Sequence, residues 1–153
     1  MKIIKTIKKA LFLLPLVVLT SCGLKAVPSD YSFIDIGMEN VTIDKLGNGK
    51  VLVYNGADIL HKVDNTARLN VWIDGRAVGQ VRGAEYVVIE LKPGTYDFKV
   101  QHLDMFNMRS NHEVIVTEKT KVIRVEPTLT SNKLTVTDEL PGNFGKFKYA
   151  VKR

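Results

Sequence analysis

The sequence predicts an all-β fold, namely an antiparallel β-sandwich or a small open barrel of eight or nine strands that follows an N-terminal signal peptide. Short apolar runs alternate with turn signals along residues 31–153. No long stretch repeats its apolar residues with the 3.6-residue period of a helix, apart from weak candidates in 57–68. Many short strands at this spacing are typical of sandwiches and barrels. A chain of 153 residues, 45% of them hydrophobic, suits one such domain.

The N-terminus has the composition of an export signal. Residues 1–9 carry four lysines and no acidic residue, and residues 10–19 form the apolar run ALFLLPLVVL. A membrane-spanning helix needs about 20 apolar residues, so this shorter run predicts a signal peptide over residues 1–21. The formal net charge is +6, but without these four lysines 18 basic residues face 16 acidic ones. The basic character therefore belongs largely to the signal, and nucleic-acid binding is not predicted.

Four residues at the end of this signal have the types and order of a lipidation motif: Leu19, Thr20, Ser21 and Cys22. They resemble the lipobox of bacterial lipoprotein precursors, which has an aliphatic residue three positions before a cysteine and a small residue directly before it. The resemblance implies transfer of fatty-acyl chains such as palmitate to the Cys22 thiol, cleavage before Cys22 and acylation of the new amino terminus. An ordinary signal peptide with an incidental Cys22, or an uncleaved anchor, is the alternative.

Cys22 is the one cysteine of the chain, so a disulfide scaffold is excluded. An exported protein would otherwise carry this thiol free and reactive, whereas lipidation consumes it. The predicted partner of Cys22 is therefore a membrane. Residues 22–30 contain Pro28 and show no strong periodicity, so they are predicted to form a lipidated tether to a domain over 31–153.

The residue after Cys22 bears on localisation. In enterobacterial-type lipoproteins, an aspartate directly after the lipidated cysteine favours retention in the inner membrane, and Gly23 stands at that position here. The resemblance therefore implies a lipid-anchored protein of the cell envelope at the periplasmic face of an outer membrane. The inner membrane and the cell surface are the alternatives.

The first half of the domain is expected to contain four strands. A compact apolar run at 51–54 is ended by Asn55-Gly56, and in 69–73 apolar residues alternate with other types. Asp74-Gly75 then marks a two-residue hairpin, because both central positions of a type I′ turn need positive φ. The remaining predicted strands of this half are 76–82 and 86–91.

The second half begins with Lys92-Pro93-Gly94, which suits a type II turn because Pro and Gly occupy its central positions. In 96–100 apolar and polar residues alternate, as in a half-buried strand. In 146–151 lysines share one face, which is typical of an edge strand protected against further pairing, although contact with acidic lipid headgroups or glycan is the alternative. The predicted strands of this half are 96–100, 113–117, 121–126, 133–137 and 146–151.

The central segment carries a second resemblance, formed by Val71, Ile73, Asp74, Gly75, Val78 and Gly79 and then by Leu91, Pro93, Gly94, Tyr96 and Val100. This order resembles the PEGA-type domains of bacterial envelope proteins. It is more similar to the arrangement in small uncharacterised envelope lipoproteins, because Arg82-Gly83-Ala84 departs from the strict PEGA pattern. The resemblance covers about residues 69–126 and implies an extracytoplasmic binding or spacer module of β-sandwich type, without catalysis.

No group of residues predicts catalysis, a metal site or a cofactor. His61, His102 and His112 lack the spacing of metal ligands, and neither a hydrolase serine motif nor a phosphate loop is present. His102 and Asp104 are interpreted as a solvated pair on a loop. The protein is therefore not predicted to be an enzyme.

One loop has unusual side chains. Residues 102–111 separate two predicted strands yet contain Met105, Phe106 and Met108. Apolar residues on a loop either cap the core or form a contact for a partner, and both interpretations are open here. Met105, Phe106 and Met108 are therefore the candidate partner contact.

These features predict a membrane-anchored envelope lipoprotein that acts as a non-catalytic binding or assembly module for an envelope protein or glycan. The alternatives are an envelope hydrolase or glycan-processing accessory enzyme with an unrecognised site, and a small-ligand or lipid-binding β-barrel. An enzyme should show a cleft with convergent polar groups of perturbed pKa, a carrier should show a large closed apolar cavity, and a scaffold should show neither.

Overall fold

A computed structural model of the protein describes residues 24–34, 37, 41–57, 67–104 and 106–150. Within these residues the chain forms nine strands, which pack as a five-stranded and a four-stranded sheet and confirm the predicted all-β sandwich. The strands are β1 (Lys50–Asn55), β2 (Leu69–Ile73), β3 (Arg76–Val81), β4 (Glu85–Glu90), β5 (Gly94–Leu103), β6 (Asn107–Val116), β7 (Val122–Pro127), β8 (Asn132–Thr137) and β9 (Lys148–Tyr149).

The four-stranded sheet has the order β3-β2-β5-β6, and its neighbouring strands are antiparallel. Asp74 and Gly75 connect β2 to β3 with φ angles of 49° and 76°, so the predicted two-residue hairpin is confirmed. The pairing of β2 with β3 shifts after Val71, where the returning strand bulges beside Gly79. A bulge bends and twists the strand that contains it.

Gly75→Val is expected to lower the free energy of unfolding by about 1 to 3 kcal/mol, because a β-branched residue is strained at positive φ. A side chain at position 75 would meet nothing within 4 Å, so the backbone alone should account for the loss. The matched control is Gly142→Val, which also adds a side chain in open space but at a position without a left-handed φ. Urea unfolding of both variants tests this expectation. Equal stability of the two variants would contradict it.

The five-stranded sheet has the order β8-β7-β1-β4-β9 and differs from the expected antiparallel arrangement in two pairs. Strand β1 runs parallel to β7, and β4 runs parallel to β9. The alternation of side chains identifies a strand but says nothing about the direction of its neighbour, which depends on how the connections run. The two parallel neighbours are far apart in the sequence, so no turn signal marks them.

Both faces of the five-stranded sheet are buried. Its inner face packs on the four-stranded sheet through residues such as Val53 and Ile123, while Leu52 and Tyr86 on its outer face belong to a second apolar cluster. Residues from outside the sheet cover this outer face, namely Val41, Leu46 and Phe147 together with the partly buried Ile34, Ile43, Leu140 and Phe144. A strand that is buried on both faces reads as a continuous apolar run, which explains the composition of 51–54.

Strands β5 and β6 extend further than the sequence indicated. Most of the predicted loop 102–111 is strand, because β5 continues to Leu103 and β6 already begins at Asn107. The first seven residues of β6 are exposed or only half-buried, since this strand is at the edge of its sheet. Their polar composition suits such an edge and resembles that of a loop. At the C-terminus β9 covers only Lys148–Tyr149 of the predicted strand 146–151, and Lys146 ends a short 3-10 helix instead.

Residues 24–30, which were expected to be a tether, lie along β3 at the edge of the four-stranded sheet. The Asp30 amide donates to the Ala77 carbonyl over 2.8 Å, and the Ala77 amide donates to Asp30 Oδ2 over 2.8 Å. At the other end of the segment, Gln80 Nε2 donates to the Leu24 carbonyl over 3.2 Å. The segment thus runs antiparallel to β3, and Leu24 lies near the end of that strand.

Candidate functional site

One end of the sandwich brings together the N-terminal segment and two strand connections. The β5–β6 turn lies here, and Asn132 at the start of β8 donates from Nδ2 to the Val100 carbonyl of β5 over 3.2 Å. The β7–β8 turn therefore lies at the same end as the β5–β6 turn. Leu24 lies there as well, because it borders a groove together with Leu103 and Asn107. We call this part of the surface the Phe106 end.

Phe106 is at the β5–β6 turn and is 68% exposed, so it does not cap the core. The turn is closed by the Asp104 amide, which donates to the Phe106 carbonyl over 3.1 Å. Met108 is half-buried and pairs across the strands with His102, while Met105 lies outside the described residues. The structure therefore separates two of the three residues that the sequence grouped: Phe106 faces solvent, and Met108 is partly covered.

Leu129 is a second exposed apolar residue at this end, and the sequence analysis missed it. It belongs to the β7–β8 turn, where the Thr128 amide donates to the Ser131 carbonyl over 2.9 Å, and it is 79% exposed. A leucine between two threonines in a short connection was the available signal. Loop residues are normally polar, so Leu129, like Phe106, is a candidate contact for a partner.

A groove of about 480 Å³ lies on the outer face of the four-stranded sheet at this end. One wall is the N-terminal segment 24–28, the other is formed by Leu103 and Asn107, and Asn70 and Gln101 lie between them. Apolar side chains and aliphatic stems therefore surround a small number of amides. The sequence could not indicate this groove, because its walls are almost eighty residues apart in the chain.

The amides beneath the groove hold its walls in place. Asn70 Nδ2 donates to the Lys25 carbonyl over 2.9 Å, and Gln80 Nε2 contacts both the Leu24 carbonyl and Asn70 Oδ1. On the other side, Gln101 Nε2 donates to Asn107 Oδ1 over 2.7 Å. Asn70, Gln80 and Gln101 are buried, and buried amides require such hydrogen bonds.

Basic side chains outnumber acidic ones at the Phe106 end. The basic residues at or next to the strand ends there are Lys25, Arg68, Arg82, Arg109, Lys133 and Lys148, and the acidic ones are Glu85, Asp104 and Glu126. Glu126 is paired with Arg124 and Lys133, so Lys133 is itself engaged in an ion pair. The surface at this end is therefore positive.

Two histidines lie near the inner face of β5 and β6. His102 is fully buried and its Nδ1 lies 2.7 Å from Asn132 Oδ1, so the interpretation of His102 and Asp104 as a solvated loop pair was wrong. His112 Nε2 lies 2.9 Å from Ser110 Oγ. Burial lowers the pKa of His112, against the opposing effects of the Asp97 charge and of a hydrogen bond that the imidazole donates to the Asn132 backbone carbonyl.

The Ser110–His112 pair has the two groups of a nucleophile and its base, and Asp97 is the described carboxylate whose charge acts on His112. The charge of Asp97 raises the pKa of His112. Asp97 is next to Phe98 in β5, and Phe98 faces the core and pairs with His112 across the two strands. Because successive side chains of a strand point to opposite faces, Asp97 is directed away from the imidazole. It therefore cannot orient the ring as the carboxylate of a catalytic triad does.

Two further candidate residues of the sequence analysis cannot be placed, and the described residues contain neither a metal cluster nor a membrane-spanning helix. Cys22 and His61 lie outside the described residues. Over the described part of the chain, no cluster of His, Cys, Asp and Glu could hold a metal ion. The same residues contain no helix with the length and apolar character required to span a membrane.

Comparison with known proteins gives no further assignment. No family model, no curated protein and no solved structure matches this chain.

Proposed function

We propose that the protein is an envelope lipoprotein anchored through Cys22, whose β-sandwich acts as a non-catalytic binding or assembly module. The observation that supports this most is the attachment of residues 24–30 to β2 and β3. A lipid on Cys22 would be only two residues from a segment that is already fixed to the sheet. The anchor would therefore hold the domain directly at its membrane.

The proposed anchor is strong enough to be permanent. Each methylene group that enters the bilayer contributes about 0.8 kcal/mol, and one acyl chain gives only reversible binding, so the two or three chains of a lipoprotein are needed. With Gly23 after the cysteine, the periplasmic face of an outer membrane is the proposed location, and the inner membrane and the cell surface are the alternatives. An envelope protein or glycan is the proposed class of partner.

The alternatives have less support. A carrier needs a large enclosed cavity, whereas Phe98, Leu69 and Ile123 are fully buried side chains in the described interior between the two sheets. For a hydrolase, the Ser110–His112 pair is the most suggestive feature, but Asp97, whose charge acts on His112, is directed to the other face of the sheet. A PEGA-like binding or spacer module is compatible with both observations.

Cys22→Ser is expected to abolish labelling of the protein by a fatty-acid probe in growing cells, because no thiol remains to accept the acyl chain. The protein should then either retain its signal peptide or be cut elsewhere, and it should leave the membrane fraction if it is cut. Metabolic labelling followed by intact-mass measurement tests both expectations.

The matched control is Ser21→Ala, which keeps a small residue before the cysteine and should label like the natural chain. Labelling that survives in Cys22→Ser would refute the lipoprotein proposal, and so would a natural chain whose mass shows no acyl groups.

A further inference from the structure

We propose that the Phe106 end docks on the membrane surface itself, with Phe106 and Leu129 entering the interface and the surrounding basic side chains contacting anionic lipid headgroups. This inference rests on the proposed lipid anchor at Cys22. In this proposal, the partner contact that the sequence predicted around Phe106 is made with a membrane and not with a protein or glycan. Three independent observations support it.

The first observation is the direction of the N-terminal segment. The Asp30 amide donates to the Ala77 carbonyl near the start of β3, and Gln80 near its end donates to the Leu24 carbonyl, so Leu24, the first described residue, lies at the Phe106 end. Two residues span at most about 7 Å, so the acylated Cys22 must lie next to this end. The bilayer that holds the acyl chains is therefore brought to the same surface.

The second observation is the placement of exposed apolar side chains. Four large hydrophobic residues are exposed in the described part of the chain, and two of them, Phe106 and Leu129, are in turns at this end. The other two, Ile115 and Val136, lie within strands. Apolar side chains on protruding turns can enter an interface without disturbing the sheets, whereas side chains on a strand face cannot reach beyond the surrounding surface.

The third observation is charge. Six basic residues and three acidic ones lie at the Phe106 end, so the basic charge there is only partly balanced. The turns at the opposite end carry charges of both signs, such as Asp74, Lys92, Glu118 and Lys119. A surface with exposed apolar tips and a basic surround is suited to anionic lipid headgroups, which attract such residues within about a Debye length.

The test uses the acylated protein in vesicles of phosphatidylethanolamine and phosphatidylglycerol whose acyl chains are brominated, since bromine quenches nearby tryptophan. Trp72 is the one tryptophan of the chain, so the Trp72→Phe variant has no tryptophan fluorescence of its own. Phe106→Trp and Leu129→Trp are introduced separately into this background. Ile115→Trp and Val136→Trp are the matched controls, because they replace exposed apolar residues elsewhere on the domain.

The tryptophans introduced at positions 106 and 129 should be quenched and blue-shifted, and those at positions 115 and 136 should not. Arg82→Gln combined with Arg109→Gln should reduce the quenching at position 106, and vesicles of phosphatidylcholine alone should reduce it in the same way. Intact mass establishes beforehand that Cys22 carries its acyl chains. A protein without acyl chains would overturn both the anchor and the docking.

An acylated protein whose tryptophan at position 106 is not quenched would overturn the docking and leave the anchor standing. Quenching at position 115 or 136 instead would also overturn it, because another face would then meet the bilayer. In cells, a photo-crosslinking residue at position 106 should give lipid adducts. Protein adducts in their place would assign this end to a protein partner and would overturn the proposal.

Discussion

Asn55→Ala is expected to lower the free energy of unfolding by about 3 to 5 kcal/mol, since each buried polar group left without a partner costs about 1 to 3 kcal/mol. Asn55 is fully buried at the end of β1. Its Nδ2 donates to the carbonyls of Ala67 over 2.6 Å and Val81 over 2.9 Å, and its Oδ1 accepts from the Ala57 amide over 2.9 Å. The substitution removes the partner of all three groups at once.

Urea unfolding monitored by far-ultraviolet circular dichroism measures this loss. The matched control is Asn111→Ala, which removes the same amide from an exposed position of β6 and should change stability by no more than about 0.5 kcal/mol. Equal stability of the two variants would mean that water replaces the Asn55 amide, and the assignment of Asn55 as a bridge between β1, β3 and the start of β2 would be wrong.

Gly79→Val is expected to lower the free energy of unfolding by about 2 to 4 kcal/mol, because backbone strain is combined with crowding. Gly79 has a φ of 115°, which a β-branched residue rarely adopts. A Cβ atom there would lie 3.4 Å from Ser29 Cβ and 3.6 Å from the Val27 carbonyl oxygen. The two methyl groups of valine extend beyond Cβ, so they would push the N-terminal segment away from β3.

Comparison with Gly75→Val separates the two contributions, since both positions have positive φ and only Gly79 faces the N-terminal segment. Gly79→Val should be the less stable variant, and its amides in residues 24–30 should exchange hydrogen faster than those of Gly75→Val. If the two variants showed the same exchange in that segment, the close contact between Gly79 and residues 27–29 would be refuted.

The strands could be predicted from the sequence, but their order and direction in the two sheets could be predicted only in part. Alternation in 69–73 and the Asp74-Gly75 turn were sufficient to predict β2, β3 and their hairpin. The parallel pairing of β1 with β7 was not predicted, because it joins residues about seventy positions apart. The continuous apolar run in β1 was nevertheless a signal of a strand buried on both faces, which is more usual in parallel sheets.

Of the candidate site, Phe106 was predicted from the sequence, but neither Leu129 nor the groove was. Phe106 was recognisable because apolar residues are unusual on a loop between two predicted strands, although only the structure shows it exposed. The groove was not recognisable, because Asn70 and Gln80 are polar residues of an outer face that become buried when residues 24–28 cover them. A short segment with a proline reads as a linker, and its attachment to a distant strand edge leaves no local pattern.

The two parallel pairs also determine the order in which the two sheets can be completed as the chain emerges, N-terminus first, into the compartment where it folds. The four-stranded sheet consists of antiparallel neighbours and has all its strands once Val116 has emerged. The central strand β1 must wait for β7, which ends at Pro127, and β4 must wait for β9 at Lys148–Tyr149. Contacts between distant parts of a chain form slowly. The apolar run 51–54 of β1 therefore emerges early and is shielded late, so the emerging chain needs protection from aggregation at these residues.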